Sequence, residues 1–215
     1  LHYPLRRQRQ MCIRDRGRVD ILINNAGILR DKSFSKIDLD DFQVVVDVHL
    51  MGAVYCTHAV WPIMREQNYG RILMTTSPTG LYGNFGQTNY GAAKLAQVGF
   101  MNSLKIEGAK NNINTNTIAP IAATRMTESL IPEAVHSKLA PESVTPAALF
   151  LVSEEAPNGV IMQAEGGRFS VASIVENTGA QLGVDATPED IASNYDMISD
   201  LEGAKPKGMM QINLP

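Results

Sequence analysis

The chain has 215 residues, 44% of them apolar and 19% charged, with a formal net charge of −3; this is the balance of a globular domain with one sizeable core. Two cysteines, Cys12 and Cys56, cannot build a disulfide framework, and the four histidines lack metal-ligand spacing, so neither a structural metal nor an oxidising compartment is expected. Six of the nineteen basic residues precede Val19, leaving 13 basic against 21 acidic from there on, without the basic face that nucleic-acid binding requires. The sequence has no run of eighteen apolar residues and no signal-peptide core, so no membrane is indicated and an intracellular protein is the plain reading.

Residues 1–18 read as a non-native or disordered basic segment, because "MCIRDR" at 11–16 matches the in-frame translation of a transposon end used in sequencing libraries. Residues 19–215 then form the domain. "VDILIN" at 19–24 is a short apolar run leading into "NNAG", as expected of a buried parallel strand and a tight turn. Asp38 is placed to cap a helix whose apolar residues recur at helical spacing towards Arg65, with Gly52 and Pro62 expected to bend it. "GRILMTTS" at 70–77 predicts a second buried strand, residues 87–110 a long helix rich in small residues, and "INTNTIAP" at 113–120 a third strand stopped by Pro120. A helix over 145–152, a last strand in "GVIMQAEGG" at 159–167, and a capped helix start in "TPED" at 187–190 complete the pattern.

Strands alternating with helices predict a doubly wound, Rossmann-like α/β fold with a parallel sheet. In such folds ligands bind beyond the carboxyl ends of the strands. The loops "NNAG" (24–27), "TTSPTG" (75–80) and "APIAAT" (119–124) each follow a predicted strand, so all three should meet on one rim.

Tyr90 and Lys94 stand four apart on the long predicted helix and therefore share a face, where an ammonium can lie beside a phenol. Lowering a phenol from about 10 to about 7 requires roughly 4 kcal/mol of preferential stabilisation of the phenolate. Ser77 precedes Tyr90 by thirteen residues. Ser77, Tyr90-x-x-x-Lys94, "NNAG" after a strand, and Pro120 after another resemble, in that order, the short-chain dehydrogenases and reductases. The resemblance implies hydride transfer with NAD or NADP, Tyr90 as general acid/base, Lys94 holding the nicotinamide ribose, and Ser77 positioning the substrate oxygen. It sets His49, in "VHLMG", where the family usually has an asparagine that helps keep a proton-relaying water. Asn24, Ala26 and Gly27 match the loop that runs along the cofactor, while Pro120 and Thr124 match the segment facing the carboxamide; Ile121 departs from the family's usual glycine.

"VHL" and "YGNFGQTNYGAAK" further resemble the (3R)-hydroxyacyl-CoA dehydrogenase domain of multifunctional β-oxidation enzymes, which implies NAD-linked oxidation of a (3R)-hydroxyacyl-CoA. The alternatives are reduction of a 3-oxoacyl thioester with NADPH, oxidation of a steroid or other secondary alcohol, and a non-catalytic truncated fragment. The family's opening strand and glycine-rich dinucleotide loop have no counterpart here, so the expected fold is incomplete and the choice between NAD and NADP unreadable. The resemblance also implies a homodimer or homotetramer, packed through a helix carrying Ala92, Ala93 and Ala96, acting on an acyl-CoA or similar small molecule. Bacterial cytoplasm is the expected compartment in preference to peroxisomes.

Overall fold

A computed structural model describes residues 17–127 and 132–207. The chain divides into two compact units, Leu1–Ala172 and Ser173–Pro215. In the first, strands β1 (Ile21–Asn24), β2 (Gly70–Thr75), β3 (Ile113–Ile121) and β4 (Ile161–Glu165) are parallel neighbours in that order, and β5 (Arg168–Ala172) adds antiparallel to β4. Helix α1 (Leu39–Val46), a π-helical turn (Asp47–Met51) and α2 (Gly52–Gln67) connect β1 to β2. A short α3 (Pro78–Tyr82) and a long α4 (Thr88–Gly108) connect β2 to β3, and α5 (Thr145–Leu151) leads to β4.

Every residue of β2 is buried, because its alternating side chains meet helices on both faces of the sheet. Ile72 and Met74 pack with Val60, Met64, Leu104 and Ile113 on one face. Leu73 packs with Ile118, Ala147, Leu151 and Ala164 on the other. Burying each such side chain stabilises the fold by about 1.5–3 kcal/mol. Thr115, Asn116 and Thr117 of β3 are buried too, and Asn116 binds the loop before β4: its Nδ2 donates to Pro157 O at 2.6 Å and its Oδ1 accepts from Val160 N at 2.9 Å.

Several expectations need correction. β1 is a sheet edge among the described residues, and Ile21 and Ile23 are 47% and 49% exposed, so it is not the buried strand its apolar run predicts. Pro120 does not stop β3; it pairs with Ala164 one residue before the strand ends, where a missing N–H breaks little of the ladder. Between α1 and α2 the interruption is the π turn, while Pro62 sits within α2 with its ring on the exposed side. β4 is followed by β5 through a hairpin at Gly166 and Gly167, both with positive φ. Ala93 lies on the buried face of α4, while Ala92 is exposed and Ala96 half-buried. The reading of residues 1–18 concerns positions that, up to residue 16, lie outside the described residues.

By length and composition the span Leu39–Gln67, with mean hydropathy 1.3, could cross a membrane. Its buried positions Val45, His49, Ala53, Thr57, Val60 and Met64 instead follow one stripe, part of which packs on the sheet. In the second unit the predicted capping box is present: Thr187 Oγ1 accepts from Asp190 N at the start of α6 (Pro188–Ser193). That unit also holds α7 (Tyr195–Ser199) and a small antiparallel pair, β6 (Val175–Glu176) with β7 (Lys205–Pro206).

Arg71 anchors the amino end of the sheet. Its guanidinium is buried beneath the Tyr69 ring, 4.3 Å from the centroid, and donates to the carbonyls of Gly70, Asn112 and Ser153 at 2.9, 2.9 and 3.0 Å. Arg71→Met keeps most of the stem packing but removes these charge-assisted bonds, and it should destabilise the chain by about 2–4 kcal/mol in denaturant unfolding. Unchanged stability would show that the guanidinium contributes nothing net.

Candidate active site

The rim predicted from the three loops is present. A cavity of about 430 Å³ opens at the carboxyl ends of β1, β2 and β3, lined by residues from all three loops and from α4. The volume suits the reacting end of a cofactor together with a small substrate group.

Ser77 follows β2 in extended conformation (φ −159°, ψ 151°) and caps α3, its Oγ accepting from Thr79 N at 3.2 Å. Pro78 at the first helical position reinforces that start. Gly80 lets α3 lie directly on α4, because a Cβ there would stand 2.9 Å from both Leu95 N and Lys94 Cβ. This close contact sets Ser77 against the helix that carries Tyr90 and Lys94.

Tyr90 and Lys94 do share a face, with Lys94 Nζ 5.4 Å from the centroid of the Tyr90 ring. Lys94 is 3% exposed; its Nζ donates to Thr75 O at 2.5 Å, and Thr76 Oγ1 donates to Lys94 O at 2.7 Å. Both contacts tie the helix to the end of β2. Burial pushes the Lys94 amine down to about 8. The Tyr90 phenol is pushed up by burial, pulled down by hydrogen bonding from the Ser77 side chain, and pushed up further by the charge of Asp31. Lys94 alone therefore does not acidify the phenol, whose largest influence here is burial.

His49 lies on the π turn and is 2% exposed. Its Nε2 is 2.8 Å from Ile28 O and 3.1 Å from Ile28 N, so either neutral tautomer finds a backbone partner. The ring meets Tyr90 edge-on at 5.1 Å between centroids. Burial first, then the Lys94 charge, push its pKa down to about 4, while the contact with Ile28 acts the other way. Near neutral pH it is an uncharged imidazole. Its Nδ1 is buried and has no partner among the described residues, which leaves one ring atom able to hold a water. The His49 carbonyl accepts from Gln97 Nε2 at 2.6 Å, one turn beyond Lys94.

Of the residues named from the sequence, Ser77, Tyr90, Lys94, His49, Gly27, Pro120 and Thr124 line this cavity. Asn24 and Ala26 do not; they line a second cavity of about 490 Å³ beside β1, which shares Asn25 and His49 with the first. Asn24 is turned to α2, its Nδ2 donating to Thr57 Oγ1 at 3.2 Å. Sequence reasoning missed Asn25, Thr79, Asn84 and Gln87 as lining residues. A signal for Gln87 was available, since a polar residue between a glycine and a helix start in "GQTNY" is a natural bridging position.

The donor set fits the ribose end of a nicotinamide cofactor. An ammonium offers three N–H groups, and Lys94 spends one on Thr75, leaving donors for a diol at the cavity wall.

The smallness of Gly27 has a cause within the protein: a Cβ there would stand 2.5 Å from His49 Cε1. Gly27→Ala should cost about 1–3 kcal/mol by overpacking, and the same change in a His49→Ala background should cost much less. Equal penalties in both backgrounds, measured by a double-mutant cycle of unfolding, would mean that the imidazole is not what excludes a side chain.

The short chain dehydrogenase family profile matches residues 6–134. Over 193 residues the chain is 46% identical to the short-chain type dehydrogenase/reductase Rv0148 of Mycobacterium tuberculosis, covering 89% of this chain and 68% of that protein. It is also 46% identical over 200 residues to the peroxisomal multifunctional enzyme type 2 of Mus musculus, covering 91% of this chain but 27% of the enzyme. The structure of the full-length peroxisomal multifunctional enzyme type 2 from Drosophila melanogaster superposes with a TM-score of 0.79 at 40% identity, over 87% of this chain and 35% of that one. The chain thus spans less than half the length of these multifunctional enzymes. With a matching profile, close relatives and one cavity holding Ser77, Tyr90 and Lys94, the chain belongs to the short-chain dehydrogenase family.

Proposed function

We propose that this chain carries the catalytic centre of an NAD(P)-linked oxidoreductase that interconverts a secondary alcohol and a ketone, with a (3R)-hydroxyacyl-CoA as substrate. The observation that carries the reading is the meeting of the Ser77 hydroxyl, the Tyr90 phenol and the Lys94 ammonium in one cavity at the strand ends. Support for the acyl-CoA comes from the likeness to the multifunctional enzymes and from apolar neighbours of the site such as Leu29, Ile121 and Met126.

In the oxidation direction the substrate hydroxyl lies between Ser77 and Tyr90. Ser77 orients the oxygen, and the Tyr90 phenolate accepts its proton. The alcohol carbon gives up a hydride, so the substrate loses two electrons and two hydrogens and becomes a ketone. The nicotinamide, when bound, supplies the acceptor for that hydride, or its donor in the reverse reaction. Tyr90, raised by burial, would be brought back towards the phenolate by the positive charge of an oxidised nicotinamide. Lys94 would hold the ribose, and its amine, lowered by burial, can exchange the proton received by Tyr90. Neutral His49 keeps a water at Nδ1 as the next member of that path. Pro120 and Thr124 line the same cavity and would face the carboxamide, and Gly27 bounds the cavity beside His49.

Tyr90→Phe should lower kcat for (3R)-hydroxyacyl-CoA oxidation by about a hundredfold or more with little change in folding. The assay is initial-rate kinetics with NAD and with NADP. Activity within a few fold of the parent would remove Tyr90 as the acid/base.

A further inference from the structure

Tyr90 and Lys94 have a third member on their face of α4. Gln97 stands three residues beyond Lys94, so the three recur at intervals of four and three, and it is 1% exposed. A glutamine buried this deeply is costly unless its amide is bonded. Its Nε2 donates to His49 O at 2.6 Å, on the π turn. The amide cannot be reversed, because its oxygen would then face a carbonyl oxygen. Its Oε1 is buried without a partner among the described residues, so the bond to His49 is what fixes the side chain. The carbonyl it holds belongs to a widened stretch of helix, where Gly52 N bonds to Asp47 O five residues back. Such a turn sets the direction in which its side chains leave the helix, and it occurs often at functional sites.

We propose that Gln97 is a positioning residue for His49: by holding the His49 carbonyl it locks the π turn to α4 and so fixes the imidazole against Tyr90. Its value for turnover rests on Tyr90 and His49 serving the reaction proposed above. His49 is held from two directions. The loop after β1 clasps the ring through Ile28, at 2.8 Å to its O and 3.1 Å to its N. Helix α4 meets the same residue twice, edge-on through the Tyr90 ring at 5.1 Å between centroids and at the carbonyl through Gln97. Those two contacts lie seven residues apart, about two turns of one helix face, with Lys94 between them. The helix that carries the acid/base therefore also carries the clamp that places its neighbour, and ring and phenol keep their spacing because one rigid element bears on both. The clasp at Ile28 alone would leave the backbone of the π turn free to shift, and the Nδ1 atom with it.

The test uses Gln97→Met, which keeps the length and bulk of the side chain but removes the N–H donor, with Gln97→Leu as a second variant should the first fold poorly. In the full chain labelled with nitrogen-15 histidine, the ring signals of His49, identified by their loss in His49→Ala, should shift or broaden in Gln97→Met while those of the other histidines stay in place. In initial-rate kinetics with a (3R)-hydroxyacyl-CoA, kcat should fall about tenfold with KM for cofactor and substrate within about twofold. The same change in a His49→Ala background should cost kcat less than about twofold, because Gln97 acts through the imidazole. Unmoved His49 signals in a folded variant overturn the proposal, and so does an equal kcat penalty in both backgrounds, which would assign Gln97 to general packing. Displaced His49 signals in a chain whose parent oxidises no hydroxyacyl-CoA uphold the clamp and sink the assigned reaction instead.

Discussion

The site depends on keeping one amine out of water. Lys94 is almost fully buried, its Nζ bound to the carbonyl of Thr75 at the last residue of β2. A buried lysine is costly unless its surroundings compensate, and among the described residues no carboxylate meets it directly. The geometry around it follows: α3 presses on α4 through Gly80, Thr76 closes a second bond to the helix, and the strand end, the Ser77 cap and the Tyr90 face come into register.

Burial acts alike on the three titratable groups of the cavity, and in each case it favours the neutral form. It lowers Lys94 and His49 and raises Tyr90. The result is a site poised to respond to charge brought in by a ligand, since each group lies displaced from its ordinary ionisation. The same reasoning separates His49 from the others. Clamped through Nε2 by Ile28 and packed against Gly27, it holds a position and a hydrogen bond and carries no charge.

Much of this was legible in the sequence because it depends on local spacing. The four-residue interval between Tyr90 and Lys94 becomes a shared helix face, and loops placed after strands must converge in a parallel sheet. Asp38 and Thr187 were readable as caps for the same local reason. What was hidden depends on distant partners. An apolar run does not say whether neighbours cover both of its sides, so the exposure of Ile21 and Ile23 was invisible. The sign of the Tyr90 shift depends on how deeply the ring is buried, which spacing does not report. Asn24 and Gln87 look alike as polar residues near glycines, yet one turns to Thr57 and the other joins Asp31, Thr79 and Asn84.

The most direct measurement is the ionisation of Lys94 itself, followed by NMR of its side-chain carbon and nitrogen nuclei across alkaline pH. The account requires a midpoint of about 8, well below the ordinary 10.5, because the amine is desolvated against Thr75. A midpoint near 10.5 would place the amine in water and leave the arrangement of Ser77 and Tyr90 without its anchor.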